Sequence, residues 1–202
     1  DDWEFAVEAV KAGAAPLFFG NVMEATAGLA RAALIPAKGK KFVVADLSNI
    51  EGRDQAWLAG EEWKLQAFRD FDDGNGPDLY KLAYSKSFRI DAADVSKAQR
   101  QIGKVMELAL GYGGGVGAFI TFALAYNIDL EELAEIAFGT LPEWALREAE
   151  EFYHWTVKKR RNTFGLSEQA FVTCDALKRM WRAAHPNISA HWGEIEDAFR
   201  SA

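Results

Sequence analysis

The stretch Ser96-Lys97-Ala98-Gln99-Arg100-Gln101-Ile102-Gly103-Lys104-Val105-Met106-Glu107-Leu108-Ala109-Leu110, closed by Gly111-Tyr112-Gly113-Gly114-Gly115-Val116-Gly117, organises everything around it. It opens with a capping box, in which Ser96 accepts from the amide three residues on and Gln99 reaches back to the Ser96 amide. Lys97, Arg100 and Lys104 recur at spacings of three and four and therefore share one helical face. Val95, Ala98, Ile102, Val105 and Ala109 lie on the opposite face and are expected to pack inward. A row of cations over two turns, with arginine for forked contacts and lysine as a point charge, suits a triphosphate; the plainer reading is a solvated face. Five glycines in seven residues then stop the helix. Phosphate-cradling glycine loops precede a helix N-terminus, whereas these follow a C-terminus, where the dipole repels anions. They read as a stop and a hinge, with Tyr112 among them as a free stacking surface for a base.

Outward from this helix, the 3.6-residue period holds from Asn49 onward. Helices are expected near 49–59, 62–70, 78–86, 96–110, 116–126, 130–137, 142–161, 167–183 and 187–200. Thr140-Leu141-Pro142-Glu143 is a second capping-box match, with Pro142 suited to a first turn. The clearest strand is Phe42-Val43-Val44-Ala45, a β-branched run between Lys40-Lys41 and Asp46. Ala32 to Ile35 is a second candidate, limited to an edge by Pro36. One buried strand cannot satisfy its own backbone groups, so its partners are expected in chain outside this sequence. The absence of a methionine at position 1 points the same way. No repeat or low-complexity linker argues for two domains, and the expected fold class is predominantly α.

Composition excludes several classes. The 202 residues carry 23 Lys+Arg against 30 Asp+Glu, a net charge of −7, which argues against a general polyanion binder but not against a local basic site. A single cysteine, Cys174, rules out an internal disulfide framework. The start, Asp1-Asp2-Trp3-Glu4, has no basic n-region and no apolar h-region, so no secretory signal is expected. No run approaches the roughly 18 apolar residues of a membrane span.

Asp46 stands at the C-terminal end of the expected strand, a few residues before a helix. A carboxylate there can bind a divalent metal for phosphoryl transfer, with the Leu47 carbonyl as a second oxygen ligand. The alternative is that Asp46 or Ser48 caps the helix that follows. Asp70 to Asn75 fails as a calcium loop, because glycine falls at position five and Lys81 occupies position twelve. Lys158-Lys159-Arg160-Arg161 either touches a nucleic-acid backbone or complements a helix C-terminus. Trp57, Trp144, Trp155 and Trp181 fall at helix-period positions as core or amphipathic anchors, and Cys174 reads as core or groove lining.

Taken together, these motifs resemble family A DNA polymerases in the form typical of phage and prophage enzymes. Val44 to Arg53 resembles the first palm motif, Asp-Tyr-Ser-Gln-Ile-Glu-Leu-Arg. Arg100 through Lys104 to Tyr112-Gly113 resembles the fingers-helix motif, and Asp78-Leu79-Tyr80 lies between the two, as in the family. Ala184 to Trp192 resembles the helix returning toward the palm. The resemblance implies a helical fingers subdomain on a fragment of a β-sheet palm, α+β in the parent enzyme. Residues of about 30–60 would hold the palm strand and first motif, about 61–130 the fingers, and about 131–202 a helical insert and return helix.

It further implies that Asp46 and the Leu47 carbonyl bind Mg²⁺ and that Arg100 and Lys104 hold the triphosphate of a dNTP. Lys104 would also donate a proton to the leaving pyrophosphate. Tyr112, beside Gly113, would stack at the nascent pair; Glu51 would crowd the sugar 2′ position; Tyr80 would support the β-phosphate; and Asn49 would stand for the motif's glutamine. Primer–template DNA and the remainder of the polymerase would be its partners, in the cytoplasm and away from membranes. Leu47 and Gly52 depart from the motif, and Leu108 stands where cellular members carry Phe or Tyr, which implies altered sugar discrimination. The His-Asp-Glu motif that supplies a second metal-binding Asp is missing. The chain alone is therefore expected not to polymerise. The alternative is a non-catalytic nucleotide- or protein-binding module.

Overall fold

A computed structural model describes residues 2–30, 34–126 and 128–201. The chain divides into two compact units, Asp1–Leu47 and Ser48–Ala202, at a boundary that composition did not signal. The first contains α1 (Asp2–Lys11), α2 (Ala15–Phe18) and α3 (Val22–Ala30). Ala6, Ala9 and Ala15 are buried within it, and Phe5 meets Phe18 edge-on at 5.0 Å.

The strand expected at Phe42–Ala45 does not form. These residues are irregular, Val43 and Val44 are 87% and 90% exposed, and no strand occurs among the described residues. The reason is pairing. β-Branched residues favour a strand only where a neighbouring strand takes up their amides and carbonyls, and the described residues offer none. The second candidate falls partly outside the described residues; its remainder, Leu34 and Ile35, is exposed and irregular. The predominantly α reading therefore stands, and no sheet forms among the described residues.

The second unit contains α4 (Ile50–Ala59), α5 (Glu62–Asp72), α6 (Leu79–Phe88), α7 (Lys97–Leu110) and α8 (Val116–Ala125). It continues through α9 (Leu130–Ala137), α10 (Glu143–Lys158), α11 (Glu168–Ala184) and α12 (Pro186–Ser201). Short 3₁₀ turns occur at Ala92–Asp94 and Phe138–Thr140. α11 runs through the middle: it packs on α6, α7, α8, α9, α10 and α12, and Phe171, Val172, Cys174, Leu177, Met180 and Trp181 are all buried. A helix apolar on several sides is stable only when neighbours cover those sides. Burial pushes the Cys174 thiol up to about 12, in keeping with a packing residue.

α7 packs on α6 and α11 through Val105, Met106, Ala109 and Leu110. Its capping box forms in full, with Ser96 Oγ accepting from Gln99 N and Gln99 Oε1 accepting from Ser96 N. The second box does not. Thr140 Oγ1 donates back to the Ala137 carbonyl at 2.7 Å, so Pro142 holds the N-cap of α10 with no side-chain cap. The preceding 3₁₀ turn has taken the hydroxyl. Two apolar expectations are also corrected. Ala98, in the first turn of α7, is exposed, at the rim of a groove that it shares with Ile136 and Glu132 of α9. Trp57 is 72% exposed on α4.

Candidate functional site

The geometry of the cationic face begins with a glycine. A Cβ at Gly103 would lie 2.1 Å from the Tyr80 carbonyl oxygen, so α6 and α7 touch backbone to backbone at this point. That contact sets Tyr80 beside Arg100 and Lys104. The Arg100 guanidinium lies 5.2 Å from the Tyr80 ring centre; Lys104 Nζ lies 6.0 Å from Tyr80 and 4.0 Å from Tyr126. Lys97 is exposed one turn earlier. Tyr126, at the C-cap of α8, carried no sequence signal, since only the folding of α8 back on α7 brings it there.

Asp78 holds this face together. It caps α6 by accepting from Tyr80 N and Lys81 N, and it receives Arg100 Nε and Nη2 at 3.0 and 2.8 Å. Partial burial pushes its pKa up, but the Arg100 fork and the two amides outweigh this, and the carboxyl sits below the usual carboxylate range. Tyr80 is raised, first by burial and then by Tyr126.

Glu51, on α4, lies against Tyr112, which is 54% exposed in the loop after α7. Partial burial and then the Glu51 carboxylate raise the Tyr112 phenol. Next to it Gly113 adopts a φ of +72°, and Trp192 of α12 lies 3.8 Å from where a Cβ would stand. Arg182 donates to the Gly113 and Gly114 carbonyls at 3.3 and 3.4 Å, tying the glycine stop to α11.

Asn49 holds the N-cap of α4 with a left-handed φ of 52° and makes no side-chain cap. Its side chain folds back over Gly52, where a Cβ would stand 2.6 Å from Oδ1. Arg53 anchors the same turn, donating to the Ser48 carbonyl and forking onto Asp72 at 2.7 Å through both terminal nitrogens.

Asp46 and Leu47 belong to the first unit and are exposed. Neither Asp46 nor Ser48 caps α4, because Asn49 occupies that position. Mg²⁺ is usually held by one or two carboxylates completed by phosphates and water. One carboxylate and one carbonyl supply only part of such a set, and no group of three potential metal-binding side chains occurs among the described residues.

The structure also contains a buried polar cluster that periodicity does not show. Glu107, three residues beyond Lys104 and one turn deeper along α7, is 8% exposed. It accepts from Lys64 Nζ at 2.5 Å and from Trp181 Nε1 at 2.8 Å. His185 completes the cluster. Its Nδ1 pairs with the Trp181 carbonyl at 2.8 Å, its Nε2 faces Lys64 at 3.4 Å, and its ring stacks on Trp181 at 4.0 Å. α5, α7 and α11 meet at these side chains. Nearby, Glu61 Oε2 accepts from the first amides of α12, Asn187 N and Ile188 N.

Burial, followed by the Lys64 charge, lowers the His185 pKa from 6.5 to about 4. The unfolded state then binds a proton that the folded state refuses, so stability is full above pH 6.5 and falls as pH drops toward 4. The expected loss across that window is on the order of 3 kcal/mol. Urea unfolding at pH 7 and pH 5 tests this, and His185→Gln is expected to flatten the dependence.

Comparisons place these features among known proteins. Over 203 aligned residues the chain is 39% identical to a DNA polymerase of Bacillus phage SP02, covering 98% of this chain and 24% of that protein. It is 31% identical over 101 residues to DNA polymerase I of Chloroflexus aurantiacus and 33% identical over 101 residues to DNA polymerase I of Pseudomonas aeruginosa. Each of these two matches covers 50% of this chain and 10% of the relative. No family model and no solved structure matches. The chain is a homologue of a segment of the family A DNA polymerases, of phage type. It spans about a quarter of the length of the phage relative. No helix among the described residues is long and apolar enough to cross a membrane.

Proposed function

We propose that this chain supplies the nucleotide-gripping part of a template-directed DNA polymerase. Arg100 and Lys104 on α7 hold the triphosphate of an incoming dNTP, and Lys104 gives a proton to the leaving pyrophosphate. Tyr80 supports the phosphates from α6. Tyr112 stacks at the nascent pair, Gly113 lets the chain pass close to it, Asn49 sets the turn before α4, and Glu51 stands by the sugar. Asp46, with the Leu47 carbonyl, contributes one side of a Mg²⁺ site that the rest of the enzyme completes. When bound, Mg²⁺ would supply charge neutralisation along the phosphates. Primer–template DNA is bound by the complete enzyme, in the cytoplasm, and this chain alone does not polymerise.

The observation that carries this reading is the convergence of Arg100, Lys104 and Tyr80 along one side of α7, a helix that Glu107, one turn further on, clamps to Lys64 and Trp181. Asp78 leaves Arg100 Nη1 without a hydrogen-bond partner among the described residues, so a phosphate can share the guanidinium. Ile50, Trp57 and Leu58 are exposed together on α4, an apolar surface that supports contact with the remainder of a polymerase.

Adding dNTP with Mg²⁺ is expected to raise the melting temperature, by an amount that grows with ligand concentration. Lys104→Ala is expected to remove most of that shift. An undiminished shift in the variant would overturn the assignment of Lys104. A Mg²⁺-independent shift would favour a non-catalytic nucleotide-binding module, and template-directed primer extension by the chain alone would contradict its incompleteness.

A further inference from the structure

α10 was expected to continue to Arg161 and to end on cations that complement its dipole. It ends instead at Lys158, and Lys159-Arg160-Arg161 run into a loop. All four cations are exposed, and none forms an ion pair among the described residues. In a chain of net charge −7, a basic run without carboxylate partners has not been neutralised locally.

Beside the run lies a cleft of about 370 Å³ walled by Phe152, Trp155, Phe164, Arg161, Lys178 and Asp175, with Gly117 of α8 at its edge. Arg161 stacks on Trp155 at 4.5 Å, and Lys178 Nζ lies 5.0 Å from the Phe152 ring. Phe164 is 45% exposed at a φ of 61°. A left-handed phenylalanine is unfavourable by itself and persists because surrounding contacts hold it. Its amide donates to Asn162 Oδ1 at 2.7 Å, and its ring stands 3.2 Å from where a Gly117 Cβ would be. The acid in the wall, Asp175, is fully buried and already paired with Lys178 and Arg179. It leaves the run's positive charge uncompensated.

We propose that this cleft and the Lys158–Arg161 run bind single-stranded nucleic acid, with the backbone along the cations and a base among the rings. Aromatic faces flanked by unpaired cations suit a flexible strand whose bases are free to stack. A duplex keeps its bases inside. The site lies between α10, the loop before α11, α11 itself and the start of α8, and shares no residue with the α7 face, so it stands or falls independently of the nucleotide reading.

The test is fluorescence anisotropy of a labelled oligothymidylate of about 15 nucleotides, a length within the usual range for such sites. Binding is expected to weaken as salt is raised. Trp155→Ala combined with Arg161→Ala is expected to weaken it roughly tenfold or more. Arg160→Ala with Arg161→Ala alters exposed side chains only and serves where removal of Trp155 lowers the melting temperature. A lack of binding by the unaltered chain, equal binding of a duplex, or undiminished binding by both double variants would overturn the proposal.

Discussion

Replacing Glu107 by alanine is expected to lower the free energy of unfolding by about 3–5 kcal/mol, as is usual when one partner of a buried ion pair is removed. The cause is what remains behind. Lys64 is 5% exposed and would be left with a buried ammonium whose nearest other partner is His185 Nε2, at 3.4 Å. Trp181 Nε1 would lose its only acceptor among the described residues. Glu107→Gln is expected to recover only the Trp181 bond. Lys64→Met combined with Glu107→Leu is expected to recover most of the loss, because removing both charges removes the desolvation cost as well. Urea unfolding of the four proteins measures this. A loss of less than about 1 kcal/mol in Glu107→Ala would mean that Lys64 can reach water. The prediction also bears on the nucleotide face, since Glu107 and Lys104 lie three residues apart on one rigid helix.

Gly103→Ala is expected to be among the most damaging single methyls that can be added to the second unit. The new carbon would meet the Tyr80 carbonyl oxygen at 2.1 Å and the Tyr84 Cβ at 3.2 Å. The first obstacle is backbone, so no rotamer change relieves it and α6 must move away from α7. Overpacking of this kind usually costs about 1–3 kcal/mol. The better helix propensity of alanine offsets up to about 1 kcal/mol of it. The functional signature is sharper than the stability loss. Parting the helices moves Tyr80 and Asp78 away from Arg100 and Lys104, so the dNTP-dependent shift in melting temperature is expected to fall with it. Gly28→Ala, a helical position with open space around it, is the control and is expected to be neutral or slightly stabilising. A Gly103→Ala protein with unchanged stability and an unchanged nucleotide response would show that the α6–α7 contact is slack.

The helices from Ile50 onward were legible because the 3.6-residue period runs through them and several carry their own start. Ser96 with Gln99, Ser167, Asp78 and Asp129 are caps that act within four residues of themselves. The alignment of Arg100 with Lys104 needed only the period of the helix. Thr140 shows the limit of such reading, because a 3₁₀ turn competed for the same hydroxyl. The run Phe42–Ala45 shows another, since strand preference is a preference for a partner, and local sequence does not supply one.

What the sequence determined alone was therefore local: the helical class of the second unit, the cation spacing on α7 and the glycine stop behind it. Tertiary structure decided what lies across from each. It brought Asp78 to Arg100, Tyr126 to Lys104, Glu51 to Tyr112, and Lys64 and Trp181 to Glu107. Between 22 and 74 residues of chain separate the partners in these pairs. Helical periodicity assigns a residue to a face, but packing alone determines which side chain meets it, and the burial of Glu107, His185 and Asp78 exists only once that packing is complete.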